Sequence, residues 1–353
     1  MNKFFLVIKD FAPSWFASVM GTGIVAIASF YYAHYWSWLQ SLATVLWILN
    51  MLLFIVLFVP WLMRILLHRQ ECYKDLRDPV IGQFFATMPI ACLVLAADLL
   101  IIGSQHLGIN LAVVLAKGFW LTGVVLAVLL AVTIPLLNFI SREVKIEQIN
   151  PAWFMPPVSL IVIPVSGAKL IPYWPDSWQQ LLLVFNYISW SSGFFLFLFL
   201  GAICLFRFFC CPPLPGALAP TAWINLGPIG VGTIALYNLG SASTPFLGHQ
   251  VLPVINLLAL LIWGFGLWWL ICAVSLTIYY LREGSLHFSL AWWAFTFPLG
   301  AYTVATHLIA SSINSSAIDL YGFFCFLILL AIWLLVMVRT IIGLSKMEFF
   351  YRS

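Results

Sequence analysis

Residues 291 to 300 read AWWAFTFPLG. They lie in a run without Asp, Glu, Lys or Arg from Phe288 to Ser312, long enough to cross a bilayer as a helix. Pro298 and Gly300 interrupt that run directly after Phe297. Proline removes a backbone donor and clashes with the preceding turn. In lipid such a break is tolerated only where neighbouring protein or a water-filled cavity satisfies the freed groups. The stretch is therefore either a packing kink or part of the wall of a pore.

Of the 353 residues, 64% are hydrophobic and only 7% charged, and the mean hydropathy is +1.08. A soluble domain is about a quarter charged, so this is an integral membrane protein, read as a single transmembrane domain over residues 1–353. The formal charge of +4 comes from basic residues scattered among short loops, which excludes a nucleic-acid-binding face. The opening MNKFFLVIKDFAPSWF has too short an apolar core, Phe4 to Ile8, for a secretory signal. The seven cysteines show no CxxC spacing, and the adjacent Cys210 and Cys211 read as small apolar residues at a helix end. No disulfide framework, metal-ligand set or cofactor is expected.

About 20 apolar residues per crossing give ten spans: 13–33, 39–68, 80–102, 111–140, 151–172, 179–207, 219–240, 251–282, 289–312 and 320–343. The breaks HRQECYKDLRDP, SREVKIEQINP, PYWPDSW, CCPPLPG and LREGSLH are turn-rich or charged. Lys3 and Lys9 precede the first span, and Arg339, Lys346 and Arg352 end the chain. Arg64, Arg69, Lys74, Arg77, Arg142, Lys145, Arg207 and Arg282 follow even-numbered spans. Thirteen of the fifteen basic residues thus share one side, Lys117 and Lys169 being the exceptions. By the positive-inside rule that side, with both termini, is the cytoplasm. The expected location is the plasma membrane, which in a bacterium is the inner membrane.

The odd-numbered spans repeat. PSWFASVMGTG at Pro13, PVIGQFFATMP at Pro79, PAWFMPPVSLIVIP at Pro151, PTAWINLGPIG at Pro220 and SLAWWAFTFPLG at Ser289 are separated by 66, 72, 69 and 69 residues. Four carry an early tryptophan (Trp15, Trp153, Trp223, Trp292), as interfacial anchors do. Each is then broken by glycine or proline, and these spans hold most of the midmembrane hydroxyls. The even spans are rich in Leu, Val, Ile and Phe and suit a lipid-facing position. The expected fold is all-α: ten transmembrane helices as five helical-hairpin repeats with quasi-fivefold symmetry around a central pore. The candidate lining is Gly21, Thr22, Gly23, Thr87, Pro89, Ser159, Pro164, Gly227, Pro228, Thr233 and Thr296. The alternative is a solid bundle whose small residues merely permit close packing.

The central zone of the odd spans holds no Asp, Glu, Lys or Arg, which argues against a cation path or a carboxylate proton relay. No HExxH, acid pair or Cys/His grouping supports a hydrolase. Anions remain, because free N–H groups and hydroxyls at helix breaks can replace part of their hydration. Eighteen residues after four of the repeat starts stand Tyr31, Lys169, Asn238 and His307, with Asp98 nearest in the second repeat. They are candidates for an outer-mouth ring in which Lys169 attracts anions and His307 titrates; a structural Lys–Asp pair with a hydrogen-bonded histidine is the other reading.

PSWFASVMGTGIVA (13–26), NPAWFMPPVSLIVIPVSGA (150–168) and AWWAFTFPLGAYTVAT (291–306) resemble the tellurite-resistance/dicarboxylate transporter family. That family includes bacterial TehA, yeast malate permease, sulfite efflux pumps and plant slow anion channels. The resemblance spans essentially the whole chain. It implies a homotrimer, each protomer with its own pore, and a small anionic substrate, with malate-type dicarboxylates the first choice and sulfite, chloride or nitrate the alternative. It also implies that a phenylalanine on the ninth helix occludes the pore, which on FTFP is Phe297, presented by Pro298. Phe295 is the local competitor, roughly 200° away around a helix, and an aromatic merely packed between helices is the plain alternative. The long cytoplasmic tails of the plant channels, and with them phosphorylation gating, are not expected here.

Overall fold

The computed structural model describes residues 7–141 and 144–346, so Lys3, Arg142 and Arg352 lie outside the described residues. Those residues form helices and no strand. The longer α-helices are α1 (Ala17–Tyr31), α2 (Trp38–Leu67), α3 (Arg69–Arg77), α4 (Thr87–Asp98), α5 (Ile109–Ser141), α6 (Met155–Leu170), α7 (Asp176–Cys210), α8 (Leu226–Leu247), α9 (Val251–Arg282), α10 (Thr296–Ser312) and α11 (Ser316–Ser345). Among the described residues, eight helical segments are long and apolar enough to cross a membrane. Helices α8 and α10 occupy the two other expected spans and are less apolar. They carry Gly227, Gly230, Gly232, Asn238 and Ser243, and Thr296, Thr303, Thr306 and His307, respectively.

One expected loop is a helix. The charged segment after span two forms α3, held by the Arg64–Asp75 ion pair at 2.7 Å, with both side chains largely buried. Arg64 also donates to the Lys9 carbonyl.

Most of the proline breaks are helix restarts rather than mid-helix kinks. Each inner span begins with a 3₁₀ segment: Pro13–Phe16, Ile81–Ala86, Pro151–Phe154, Gly216–Asn225 and Leu290–Phe295. An α-helix follows directly. Pro89, Pro157, Pro228 and Pro298 each occupy the third position of that helix. A first-turn N–H has no intrahelical partner, so proline there forfeits nothing. Pro164 alone among the candidate lining prolines lies deep within its helix.

The helices pack as a closed ring with an outer layer. Helix α1 touches α4, α4 touches α6, α6 touches α8, α8 touches α10, and α10 returns to α1. Each remaining long helix lies against its hairpin partner and the next inner helix: α2 on α1 and α4, α5 on α4 and α6, α7 on α6 and α8, α9 on α8 and α10, α11 on α10 and α1. The most apolar windows of the five outer helices are 22 to 39% buried, against 78 to 94% for the first three inner spans. That contrast matches a lipid-facing layer around a protein-facing one.

Polar and small residues set the spacing. Tryptophans of the outer helices reach the next inner helix: Trp120 Nε1 donates to the Ile163 carbonyl at 3.0 Å and Trp190 Nε1 to that of Gly232 at 3.1 Å. Trp263 Nε1 donates to Thr306 Oγ1 at 2.9 Å, and Trp333 Nε1 to Thr22 Oγ1 at 3.1 Å, which closes the ring. At Gly230 a Cβ would lie 2.5 Å from the Tyr302 backbone nitrogen, so α8 and α10 meet backbone to backbone.

Candidate functional site

Two small cavities lie within the ring. One, of about 30 Å³, is bordered by early residues of all five inner spans: Ala17 and Met20, Phe84 and Thr87, Met155 and Val158, Ile224 and Gly227, and Ala294, Phe297 and Pro298. The other, of about 20 Å³, is bordered by later residues: Ile24, Ile27 and Tyr31, Ile101, Val165 and Lys169, Ile234 and Asn238, and Val304. A water needs roughly 10–15 Å³ in this measure, so each has room for one or two. The walls are almost wholly apolar in the first cavity and gain a cation and an amide in the second.

Phe297 follows the 3₁₀-to-α junction of α10 and borders the first cavity, 4% exposed. Gly227 occupies the same second helical position in α8. A Cβ on Gly227 would meet nothing nearer than Pro298 at 3.9 Å, so its bare backbone leaves room at this level. Phe295 borders neither cavity. Its ring packs edge-on against Trp223 and Trp292, both at 5.5 Å.

Of the other expected lining residues, only Thr87 and Gly227 border a cavity. Gly21 faces Thr296 of α10, and Gly23 faces Val94, Asn50 and Asp98. Pro89, Ser159, Pro164, Pro228, Thr233 and Thr296 are buried away from both cavities. The hydroxyls are committed to their own helices: Ser159 donates to the Pro156 carbonyl, Thr233 to Ile229 and Thr296 to Trp293. Thr22 accepts from Trp333, and the Thr87 hydroxyl lies 2.7 Å from the carbonyls of both Pro13 and Phe84, which share its one proton. A hydroxyl with its single proton on a carbonyl has none left for an anion.

The outer-mouth set divides. Tyr31, Lys169 and Asn238 do border the second cavity together. Asn238 Nδ2 donates to the Val165 carbonyl at 2.7 Å, tying α8 to α6. Lys169 is half-buried, with no hydrogen bond or ion pair among the described residues. Asp98 and His307 are not part of this group, and the expected Lys–Asp pair does not form. Asp98 is fully buried and takes a 3.0 Å hydrogen bond from Asn50 of α2 in the space that Gly23 leaves. His307 turns to Asp319 of α11 at 2.8 Å, with His34 on the other carboxylate oxygen at 2.8 Å. Sequence reasoning missed His34, Met20 and the outer-helix tryptophans. The near-regular spacing of Trp120, Trp190, Trp263 and Trp333 was the signal that could have found the last of these.

A ring of buried helices inside a lipid-facing layer defines a multi-pass helical membrane protein. The voltage-dependent anion channel family, SLAC1, matches residues 10–341, and the chain belongs to that family. It is 40% identical over 95% of its length to an uncharacterized transporter of Methanocaldococcus jannaschii, covering 93% of that protein. It is 26% identical to a sulfite efflux pump of Arthroderma otae, over 98% of this chain and 94% of the pump. Identity to a malic acid transport protein of Schizosaccharomyces pombe is 24%, over 94% and 77% of the two chains. The relatives bear out the resemblance read from the motifs.

Proposed function

We propose that the protein is an anion channel or channel-like transporter whose path runs along the axis of α1, α4, α6, α8 and α10, ten membrane helices in all with quasi-fivefold symmetry. The observation that carries this reading is the pair of cavities bordered by residues of all five inner spans, with Lys169 the one Lys or Arg on either wall among the described residues. Phe297 closes the path between them. A phenyl ring in a narrow apolar passage blocks ions both by filling it and by keeping it dry. Lys169 offsets part of an anion's dehydration on the far side. A single half-buried cation binds weakly enough to let the ion leave. Pro298, Gly227 and Thr87 shape the wall at the constriction, and Asn238 and Tyr31 flank Lys169.

The substrate is a small anion. A relative named for malic acid and one named for sulfite both support this. Malate-type dicarboxylates and sulfite or another inorganic anion are the two candidates, each supported by a relative named for it. The chain works as a homotrimer in the plasma membrane, with both termini cytoplasmic and one path per protomer. Flux into liposomes carrying the purified protein tests the reading, with malate, sulfite, chloride and nitrate compared side by side. Voltage-driven anion flux supports a channel, and flux requiring a proton gradient supports a carrier. No flux of any anion, even from a Phe297→Ala variant, leaves a scaffold and removes the proposal.

A further inference from the structure

We propose that His34, His307 and Asp319 form a binding site for a zinc-class divalent transition-metal ion at the end of the ring that carries Lys169 and Asn238. The three groups come from three elements: the 3₁₀ turn Tyr32–His34 after α1, the C-terminal half of α10, and the first turn of α11. Their ligand atoms all lie within 4.8 Å of one another. Asp319 stands between the rings, with Oδ2 at 2.8 Å from His34 Nε2 and Oδ1 at 2.8 Å from His307 Nδ1.

The second nitrogen of His34 makes this more than a hydrogen-bonded trio. Its Nδ1 faces the Tyr31 carbonyl at 3.0 Å while Nε2 faces the carboxylate. Both partners only accept. A neutral imidazole has one proton and satisfies one of them. An ion on Nε2 removes the conflict: Nδ1–H donates to the carbonyl, and the Nε2 lone pair goes to the metal. A ligating histidine backed by a carbonyl in this way is the usual outer-shell arrangement of metal sites. The competing solution is a doubly protonated His34 on Asp319, which needs no ion.

The dimensions fit. Zinc bonds of about 2.0–2.2 Å in a tetrahedron put ligand atoms about 3.3 Å apart. Each His–Asp contact therefore opens by about half an ångström, and the two ring nitrogens, within 4.8 Å of one another, close toward that spacing to admit the ion, with water at the fourth position. Two imidazoles and one carboxylate suit zinc, cobalt or nickel better than magnesium or calcium. His34 is exposed enough to give an ion entry, its side chain 48% accessible. The sequence expectation held no metal-ligand set, because His34, His307 and Asp319 are far apart in the chain.

Position gives the ion something to control. The His307 ring lies 5.2 Å from that of Tyr31, which borders the cavity of Lys169. Helix α10 also carries Phe297. A bound ion ties the end of α1 to α10 and α11 and stiffens that side of the ring. The site stands on its own geometry, independently of what the ring conducts.

Cobalt titration of the purified protein, carrying no polyhistidine tag, tests it. Tetrahedral Co(II) absorbs in the visible, and zinc displaces it. The expected result is one saturable ion per chain with nitrogen/oxygen-type absorption. His34→Ala should weaken binding at least tenfold while its metal-free melting temperature stays that of the wild type. His307→Gln should do the same, and the Cys210→Ser, Cys211→Ser double variant should bind normally. No saturable binding up to about 100 μM metal, equal binding by His34→Ala, or thiolate-type absorption lost with the cysteines would overturn the proposal.

Discussion

Phe297 and Phe295 are two residues apart, yet their surroundings predict opposite outcomes. Phe297 borders a cavity, whereas Phe295 is wedged between Trp223 and Trp292. Truncating a packed phenylalanine typically costs about 3–5 kcal/mol. At a cavity wall the void joins existing space and fills with water, so the loss is smaller. On the proposed reading, Phe297→Ala raises anion flux several-fold at near-normal melting temperature, while Phe295→Ala lowers the melting temperature without raising flux. A destabilised Phe297→Ala protein with unchanged flux would return the ring to a packing role. Lys169 supplies a second residue-scale prediction. At about 6 Å and an effective dielectric of about 40, a unit charge contributes about 1.4 kcal/mol, a tenfold effect. Lys169→Met should therefore cut anion flux about tenfold. Lys169 is half-buried beside its cavity, so raising the salt should shrink the difference between wild type and variant only in part, since partly buried charges are screened less than exposed ones.

At the scale of the helix, the glycines sort into two kinds. Gly230 leaves no space for a Cβ between α8 and α10, and the obstructing atoms are backbone. Overpacking of this kind typically costs about 1–3 kcal/mol. Gly230→Val should lower the melting temperature in detergent and reduce folded yield. Gly201 on α7 has nothing within 4 Å of an added methyl group, and helix propensity there favours alanine by about 0.5–1 kcal/mol. Gly201→Ala should be neutral or slightly stabilising in the same thermal scan. If both variants melted alike, the close α8–α10 contact would not be holding the ring. The proline pattern belongs to this scale too. Pro89, Pro157, Pro228 and Pro298 mark where 3₁₀ gives way to α, so they set the direction of each inner helix rather than bending it.

For the whole molecule, the proposed topology assigns each loop a side. The turn at His249 and Gln250 between α8 and α9 is expected outside, and Cys72 on α3 and Cys210 at the end of α7 inside. In intact cells a membrane-impermeant maleimide should label a Gln250→Cys variant and leave wild-type Cys72 and Cys210 unmodified until the cells are opened. Labelling of Cys210, which is exposed on the protein surface, in intact cells would invert the orientation. The trimer is checked by the mass of the detergent-solubilised protein, less bound detergent, which should be three times that of one chain.

Membrane class, the approximate helix ends and the inner-versus-outer distinction were legible in the sequence, because lipid imposes them on local composition. A helix facing hydrocarbon must be apolar along its length, and one facing protein need not be. PSWFASVMGTG and SLAWWAFTFPLG both fold as a 3₁₀ segment running into an α-helix, and the FTFP motif put Phe297 beside a cavity. Which way each polar side chain turns was not legible. Asp98 and Lys169 occupy nearly the same place in their repeats, yet Asp98 turns outward to Asn50 and Lys169 lines a cavity. Among the threonines read as pore donors, Thr233 and Thr296 donate to carbonyls about one turn back and Thr22 accepts from Trp333 of a neighbouring helix. His34 and His307 are 273 positions apart in the chain and share one carboxylate. Periodicity records burial, which every residue on a helix face shares. Hydrogen-bond partners depend on distances between helices that are remote in sequence, and only the closed ring sets those.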